Sequence, residues 1–459
     1  MKNTIQVLRK FTLLVLGALI LCCIAFYNNF PLLFPDSGSY IRSGFESWVA
    51  PDRPILYGLF IRHLSLAYSL WLVIFFQSLV VSFVIYSFMQ RVLRPNHLAP
   101  LFIGILVILV LVTGLAIHSG QVLPDIFTAL AFLCLILLLI PSEGNSLLEQ
   151  GSLILIYEFS LCVHNSNILV NLIVIGLVTL NLLWKKYIRK TLPLLKISYQ
   201  RLLLVWTIAL APFLLVPSLS VWYNGPFKIT SSSHIFMMNH LNECGILGKY
   251  LDENCEKKHY RICQYKGAIP TDFIWDMNSP LYKTGGWDAN KGEYDSIVHD
   301  ILTSSPYLKM FCTKSVEYTF KQFFSFDFTG VAPPCLTNSS PYFSLHKALP
   351  DEARESLLAL QQMERLNFQM LGMVQLIVVF LSALGLYLLF YTGRISPVLR
   401  FSVLLIIAVL LANAFVCGNF STVSPRYQSR VVWLIPFLFL LALAPKADRW
   451  LQSKIKPEN

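Results

Sequence analysis

The chain has 459 residues, of which 55% are hydrophobic and only 13% charged, and its mean hydropathy is +0.60. That balance excludes a soluble globular protein. With a formal net charge of +11, the cations are read as a topology signal and not as a nucleic-acid footprint.

A bilayer-spanning helix needs about 20 mainly apolar residues, and about ten runs of that kind are found. They lie near 11–29, 67–89, 98–117, 124–141, 150–163, 167–184, 202–221, 368–391, 400–417 and 430–445, the fifth being short and polar at its end. The expectation is an all-α polytopic membrane protein of about 10 transmembrane helices. It divides into an N-terminal module 1–221, a large connecting segment 222–367 and a C-terminal module 368–459. Placing the N-terminus inside gathers Lys2, Arg9, Lys10, Arg91, Arg94, Lys185, Lys186, Arg189, Lys190, Lys196, Arg201, Arg394, Arg400, Lys446, Arg449, Lys454 and Lys456 on the cytoplasmic side. Only Glu143, Glu149, Asp448 and Glu458 oppose them, so both termini are expected in the cytoplasm. The first run has a basic flank and no small-residue cleavage site, and reads as a retained signal anchor.

After that run, 30–66 is a long outer loop containing FPDSGSY (34–40) and APDRP (50–54). Tyr40, Ile41, Phe45, Trp48 and Val49 recur at helical spacing, with Arg42 and Glu46 on the opposite face, which predicts an interfacial helix ended by Pro51 and Pro54. ILYGLFIRHLSLAY predicts a second such helix. Further on come IHSGQVLPD (117–125), VHNSN (163–167) and STVSPRYQSR (421–430), and all five polar clusters fall on one side of the predicted topology. In 222–367, predicted to be a mixed, mainly helical extracytoplasmic domain, SVEYTFKQFFSFDF carries Val316, Phe320, Phe323 and Phe324 on one stripe. A helix capped at Pro350 is expected to run into the eighth span. Cys244, Cys255, Cys263, Cys312, Cys335 and Cys417 lie outside and are enough for three disulfides of open connectivity.

The chemistry-bearing candidates sit in these clusters. Asp36 suits a general base or a divalent-cation ligand, and otherwise a cap for the helix beginning at Ser37. Asp125 opens the fourth run and carries the same two readings. His118 and His164 flank it as candidates for proton transfer or ligation. Arg426 and Arg430 share a helix face beside Tyr427, and their guanidinium forks match phosphate oxygens. Against that stands plain anchoring of these residues with Trp433 in the headgroup belt. Arg53 suits phosphate or carboxylate pairing, or a turn ion pair with Asp52. GGWD (285–288) matches no nucleotide loop, so an enzyme here needs a pre-activated substrate.

PDSGSY, RPILYGLFIRHL, LPDIFTALAFL and SPRYQSRVVWLIPF together resemble the GT-C superfamily of integral-membrane glycosyltransferases. The resemblance implies a polyprenyl-phosphate-linked sugar donor, a glycan, lipid or protein acceptor and an inverting transfer, at the outer face of a bacterial inner membrane. It makes Asp36 the base or the ligand of Mg or Mn, and Asp125 the second acid. Arg426 holds the lipid phosphate, with Arg430, Tyr427, Tyr40, Arg53, His118 and His164 around the substrates. The family's acidic pair is replaced here by Asp36-Ser37, which weakens the case for a metal. A polysaccharide polymerase or ligase, a transporter and an assembly protein are the competing classes.

Overall fold

In a computed structural model, residues 2–141, 146–189 and 197–455 are described; Glu143, Lys190, Lys196, Lys456 and Glu458 of the charge count lie outside them. The described chain is all-helical, with a single isolated bridge between Leu32 and Gln121 as its only extended pairing. Among the described residues, 6 helices are long and apolar enough to cross a membrane: Leu70–Leu93, Asn165–Lys186, Tyr199–Trp222, Gln369–Tyr391, Pro397–Phe420 and Pro425–Lys454.

The other expected runs are shorter or interrupted. The first breaks at Cys22, between Lys2–Leu21 and Cys23–Asn28. Leu98–Val112 has 15 residues and stops at Thr113, where the next amide, Gly114, donates to the Gln375 side chain at 2.7 Å. Asp125–Leu139 also has 15 residues and is buried along its whole length, so it is a core helix of the bundle. At a rise of about 1.5 Å per residue, such helices fall short of the ~30 Å hydrocarbon layer. The fifth run becomes Leu147–Cys162, of 16 residues.

Charged groups separate to the two ends of the bundle. At one end Glu149 pairs with Arg91 at 3.2 Å and Lys10 at 3.8 Å, and Asp448 accepts from the His97 amide at 2.9 Å. Gln77, on the same helix as Arg91 but ~21 Å away along its axis, belongs to the other end. There its amide nitrogen donates to the carbonyls of Ser119 and Gln121, each at 3.0 Å.

The two helices of the 30–66 segment form as the spacing predicts, over Pro35–Glu46 and Leu56–Leu64. Tyr40 and Ile41 are buried, while Arg42 and Glu46 pair on the exposed face at 3.0 Å. The first ends ahead of its prolines, because Ser47 turns left-handed at φ 54. The pair cross at glycines: a Cβ on Gly58 would lie 2.7 Å from the Tyr40 carbonyl oxygen, and one on Gly44 only 2.1 Å from the Gly58 oxygen.

Within 222–367, Ile235, Met238, Leu247, Tyr250, Phe273, Tyr294 and Ile297 build a separate small core, giving a lobe. The stretch 326–366 instead straps the bundle. Gln361 exchanges hydrogen bonds with Leu33, accepting from its amide at 3.0 Å and donating to its carbonyl at 2.6 Å. The helix at Pro350 therefore does not run into the next span. It ends at Ser356 after Glu352 has accepted from Ser69 at 2.6 Å and the Leu70 amide at 2.8 Å, and the span begins afresh at Gln369. Of the six cysteines expected outside, Cys255 and Cys263 form a disulfide; Cys244, Cys312, Cys335 and Cys417 are free thiols.

The crossing generates a prediction with opposite signs at two glycines. Gly58→Ala must displace backbone and is expected to destabilise by about 1–3 kcal/mol. Gly151→Ala meets nothing within 4 Å and should stabilise its helix by about 0.5–1 kcal/mol. Thermal unfolding in nanodiscs measures both, and equal shifts would show that the crossing is not tight.

Candidate functional site: a chain of alternating charges

All five polar clusters meet at one end of the bundle. Asp36 stands in the first turn of Pro35–Glu46, and Arg53 in the turn before Leu56–Leu64. Asp125 is the first residue of its buried helix, and Arg426 and Arg430 lie one turn apart on Pro425–Val432. Their side chains alternate in sign. Arg53 sits 3.0 Å from Asp52 and 3.1 Å from Asp36. Arg426 reaches Asp36 at 2.9 Å through Nη1 and Asp125 at 3.5 Å through Nε, and Arg430 Nη1 donates to Asp125 Oδ1 at 2.9 Å.

Neither aspartate caps its helix; both carboxylates face guanidinium groups, and neither N-cap residue, Phe34 or Pro124, makes a side-chain cap bond. The anchoring reading of the arginines fails as well. Arg430 and Trp433 are 0% exposed, and the Trp433 indole donates to the Arg430 carbonyl at 3.0 Å. Arg430 is closed in by Ser166 Oγ at 3.0 Å, Asn413 Oδ1 at 3.1 Å and His164 Nε2 at 3.3 Å.

Access is graded along the chain. The side chain of Asp36 is 21% exposed, that of Arg53 12% and that of Arg426 9%, whereas Asp125 is at 2% and Arg430 at 0%. A ligand entering from outside meets Asp36, Arg53 and Arg426 first. Burial works against ionisation of Asp36, but the guanidiniums of Arg53 and then Arg426 outweigh it and hold the carboxyl well below the usual carboxylate range.

The aromatic candidates line the same end. The Arg53 guanidinium lies 5.1 Å from the centre of the buried Tyr40 ring, and Arg426 is 4.2 Å from Phe34 and 5.1 Å from Tyr427. His118 is fully enclosed, with Nε2 3.1 Å from Ser429 Oγ. Burial pushes its imidazole down to about 4; the Asp125 carboxylate opposes the shift while Arg430 and Arg426 reinforce it. His118 and His164 therefore join the cluster around Asp125 and Arg430, away from the exposed end.

The donor set does not fit a divalent cation. Both Asp36 oxygens face arginines, and among the described residues no group of three or more His, Cys, Asp or Glu side chains could hold a metal. A groove of about 740 Å³ opens elsewhere, between 326–333 and the start of Gln369–Tyr391, and none of Asp36, Asp52, Arg53, Asp125, Arg426 and Arg430 lines it.

Two supporting residues, Gln77 and Asn413, escaped the sequence reading, while Asp52 pairs with Arg53 as the turn reading allowed. Gln77 accepts from the buried Tyr57 hydroxyl at 2.9 Å, beneath Tyr40. Asn413 holds Arg430 and also donates to the Tyr427 carbonyl at 2.7 Å. Asp52 is the outer partner of Arg53. A single amide inside an apolar span was the available signal for Gln77 and Asn413. The chain matches no known family, no curated protein and no solved structure.

Removing one partner of a buried pair leaves the other charge uncompensated, at about 3–5 kcal/mol. Asp125→Leu is expected to destabilise on that scale, and Asp125→Leu with Arg430→Met to recover most of the loss; additive losses in denaturant unfolding would show that the two do not act as a pair. For His118 the sign follows from its depressed folded value. Below 6.5 the unfolded chain binds a proton that the folded imidazole refuses, so stability falls as pH drops from 6.5 towards about 4. His118→Gln should flatten that part of the stability–pH curve, and a superimposable curve would count against it.

Proposed function

We propose that the chain is an integral-membrane glycosyltransferase of the GT-C type. It moves a sugar from a polyprenyl-phosphate donor to a glycan, lipid or protein acceptor of the cell envelope, with inversion. In this reading the charged end of the bundle faces the periplasm or exterior of a bacterial inner membrane, both termini are cytoplasmic, and the shorter apolar helices complete a bundle of about ten membrane segments. The observation that carries the proposal is the accessible end of the ion-pair chain, where one carboxylate is shared by two arginines.

That arrangement suits an anionic donor. A phosphate is the natural competitor of a carboxylate for a guanidinium fork. When the donor phosphate takes Nη1 of Arg426 from Asp36, the carboxylate loses one of the two cations that depress its basicity. Asp36 then accepts the proton of the acceptor hydroxyl as that oxygen bonds to the anomeric carbon. The bond from the anomeric carbon to the phosphate oxygen breaks, and the charge left on the polyprenyl phosphate is held by Arg426 and Arg53. A single displacement inverts the centre. Asp125 and Arg430, enclosed behind Arg426, act as positioning residues that hold its guanidinium in place. No step requires a metal.

The two outer residues are expected to fail differently. Asp36→Asn should keep or tighten donor binding while lowering transfer by about 10²–10⁴-fold. Arg426→Ala should lose donor binding and transfer together. Radiolabelled polyprenyl-phosphate sugar measures both, and transfer intact in both variants would sink the reading.

A further inference from the structure

The lobe carries a surface that the ion-pair chain does not use. Phe236, Trp287 and Trp275 form a row of rings. The Phe236–Trp287 centroids are 6.4 Å apart at 84°, and those of Trp287 and Trp275 are 6.4 Å apart at 52°. The row begins half-buried at Phe236 and ends in the open, with Trp275 57% exposed. Phe236 and Trp287 pack against the lobe's own core, and Trp275 extends the row beyond it.

Acidic side chains share the segments that carry the rings. Asp272 Oδ1 accepts from the Trp275 amide at 2.9 Å, and Asp276 Oδ1 from the Asn278 amide at 2.7 Å, while Asp288 follows Trp287 directly and is exposed. Backbone donors thus fix one oxygen of Asp272 and one of Asp276, next to an aromatic surface.

We infer that this row is a binding platform for a neutral carbohydrate chain. The C–H face of a pyranose carries partial positive charge and packs on the negative face of an indole, while its hydroxyls donate to carboxylate oxygens. Rings flanked by acids offer both at once. A membrane surface is the other partner an exposed tryptophan suits, but anionic lipid headgroups would meet Asp272, Asp276 and Asp288, and like charges repel.

The position of the platform gives it a use. Phe236 lies on the helix Ser233–Glu243, which bridges the two loops of the charged site. Just ahead of that helix, the Ser231 amide donates to the Pro51 carbonyl at 2.8 Å, two residues from Arg53. At its end, Glu243 accepts from Thr422 at 2.8 Å, four residues before Arg426. The rings are thus joined, through one helix, to both loops that carry the charged site, a connection that suits an acceptor glycan. Only the word acceptor rests on the proposed transferase reading; binding of the glycan does not.

The test uses the full chain in nanodiscs, with tetrasaccharides of β-1,4-N-acetylglucosamine, α-1,4-glucose and α-1,6-mannose as probes read by tryptophan fluorescence. At least one probe is expected to bind. Trp275→Ala should weaken it by about ten-fold, equivalent to about 1.4 kcal/mol, and Trp275→Phe should restore part of the loss. Probe binding is read without donor and without transfer, so a failed transferase reading and a failed platform are told apart. Three outcomes overturn the inference: no probe binds, Trp275→Ala binds unchanged, or brominated lipids in the nanodisc quench Trp275, which would make it a membrane anchor.

Discussion

The structure depends on keeping a row of buried and half-buried charges in alternation. In the order Asp52, Arg53, Asp36, Arg426, Asp125, Arg430, every interior member has an opposite charge on each side. Taking an isolated ion out of water is prohibitive, and the attraction of one partner only partly offsets that penalty. Sharing Arg53 and Arg426 each between two carboxylates, and finishing Arg430 with Ser166, Asn413 and His164, satisfies the forks from several directions. The requirement also explains why five segments far apart in sequence must meet. No one of them carries the countercharges for its own ions, apart from the Asp52–Arg53 pair.

Around this row, the scaffold is built to hold backbone at fixed separations. The glycine crossing lets Pro35–Glu46 and Leu56–Leu64 approach within backbone contact, which brings Asp36 and Arg53 together. Gln361 pins the strand-like approach to Asp36 through Leu33, and Gln322 grips Ser424 from both sides, donating to its carbonyl at 2.8 Å and accepting from its amide at 2.9 Å. The second contact comes from the helix Ser305–Phe324, so the lobe helps set where Arg426 begins. Val316 and Phe320 on that helix stay 73% and 67% exposed, which leaves their stripe facing outward while Gln322 turns in.

What was legible in the sequence follows local rules. Helix pitch placed Arg426 and Arg430 on one face and gathered Tyr40 and Ile41 on the apolar face of an expected interfacial helix, and the shared side of the polar clusters anticipated their meeting. What was not legible depends on partners. Hydropathy cannot tell a lipid-facing helix from one enclosed by its neighbours, so it gave no sign that Asp125–Leu139 is buried along its whole length. The run after Pro350 has helical composition, but Asn28 and Leu33 capture Gln361 and its neighbours and end the helix. The same limit applies to the aspartates. At a helix start a carboxylate suits a cap, and only the arrival of distant arginines decides otherwise.

Charge is distributed differently at the two ends of the bundle. Arginines on the outer side of a membrane run against the usual bias, which made Arg53, Arg426 and Arg430 conspicuous. They carry no net charge as a set, because Asp36, Asp52 and Asp125 neutralise them within the same cluster. At the opposite end, Glu149 faces both Lys10 and Arg91. The excess positive charge of the chain is therefore carried away from the site. On the proposed topology the inner leaflet meets the end that holds Lys10 and Arg91, while the outer end offers an anion the two guanidiniums that Asp36 has been holding in place.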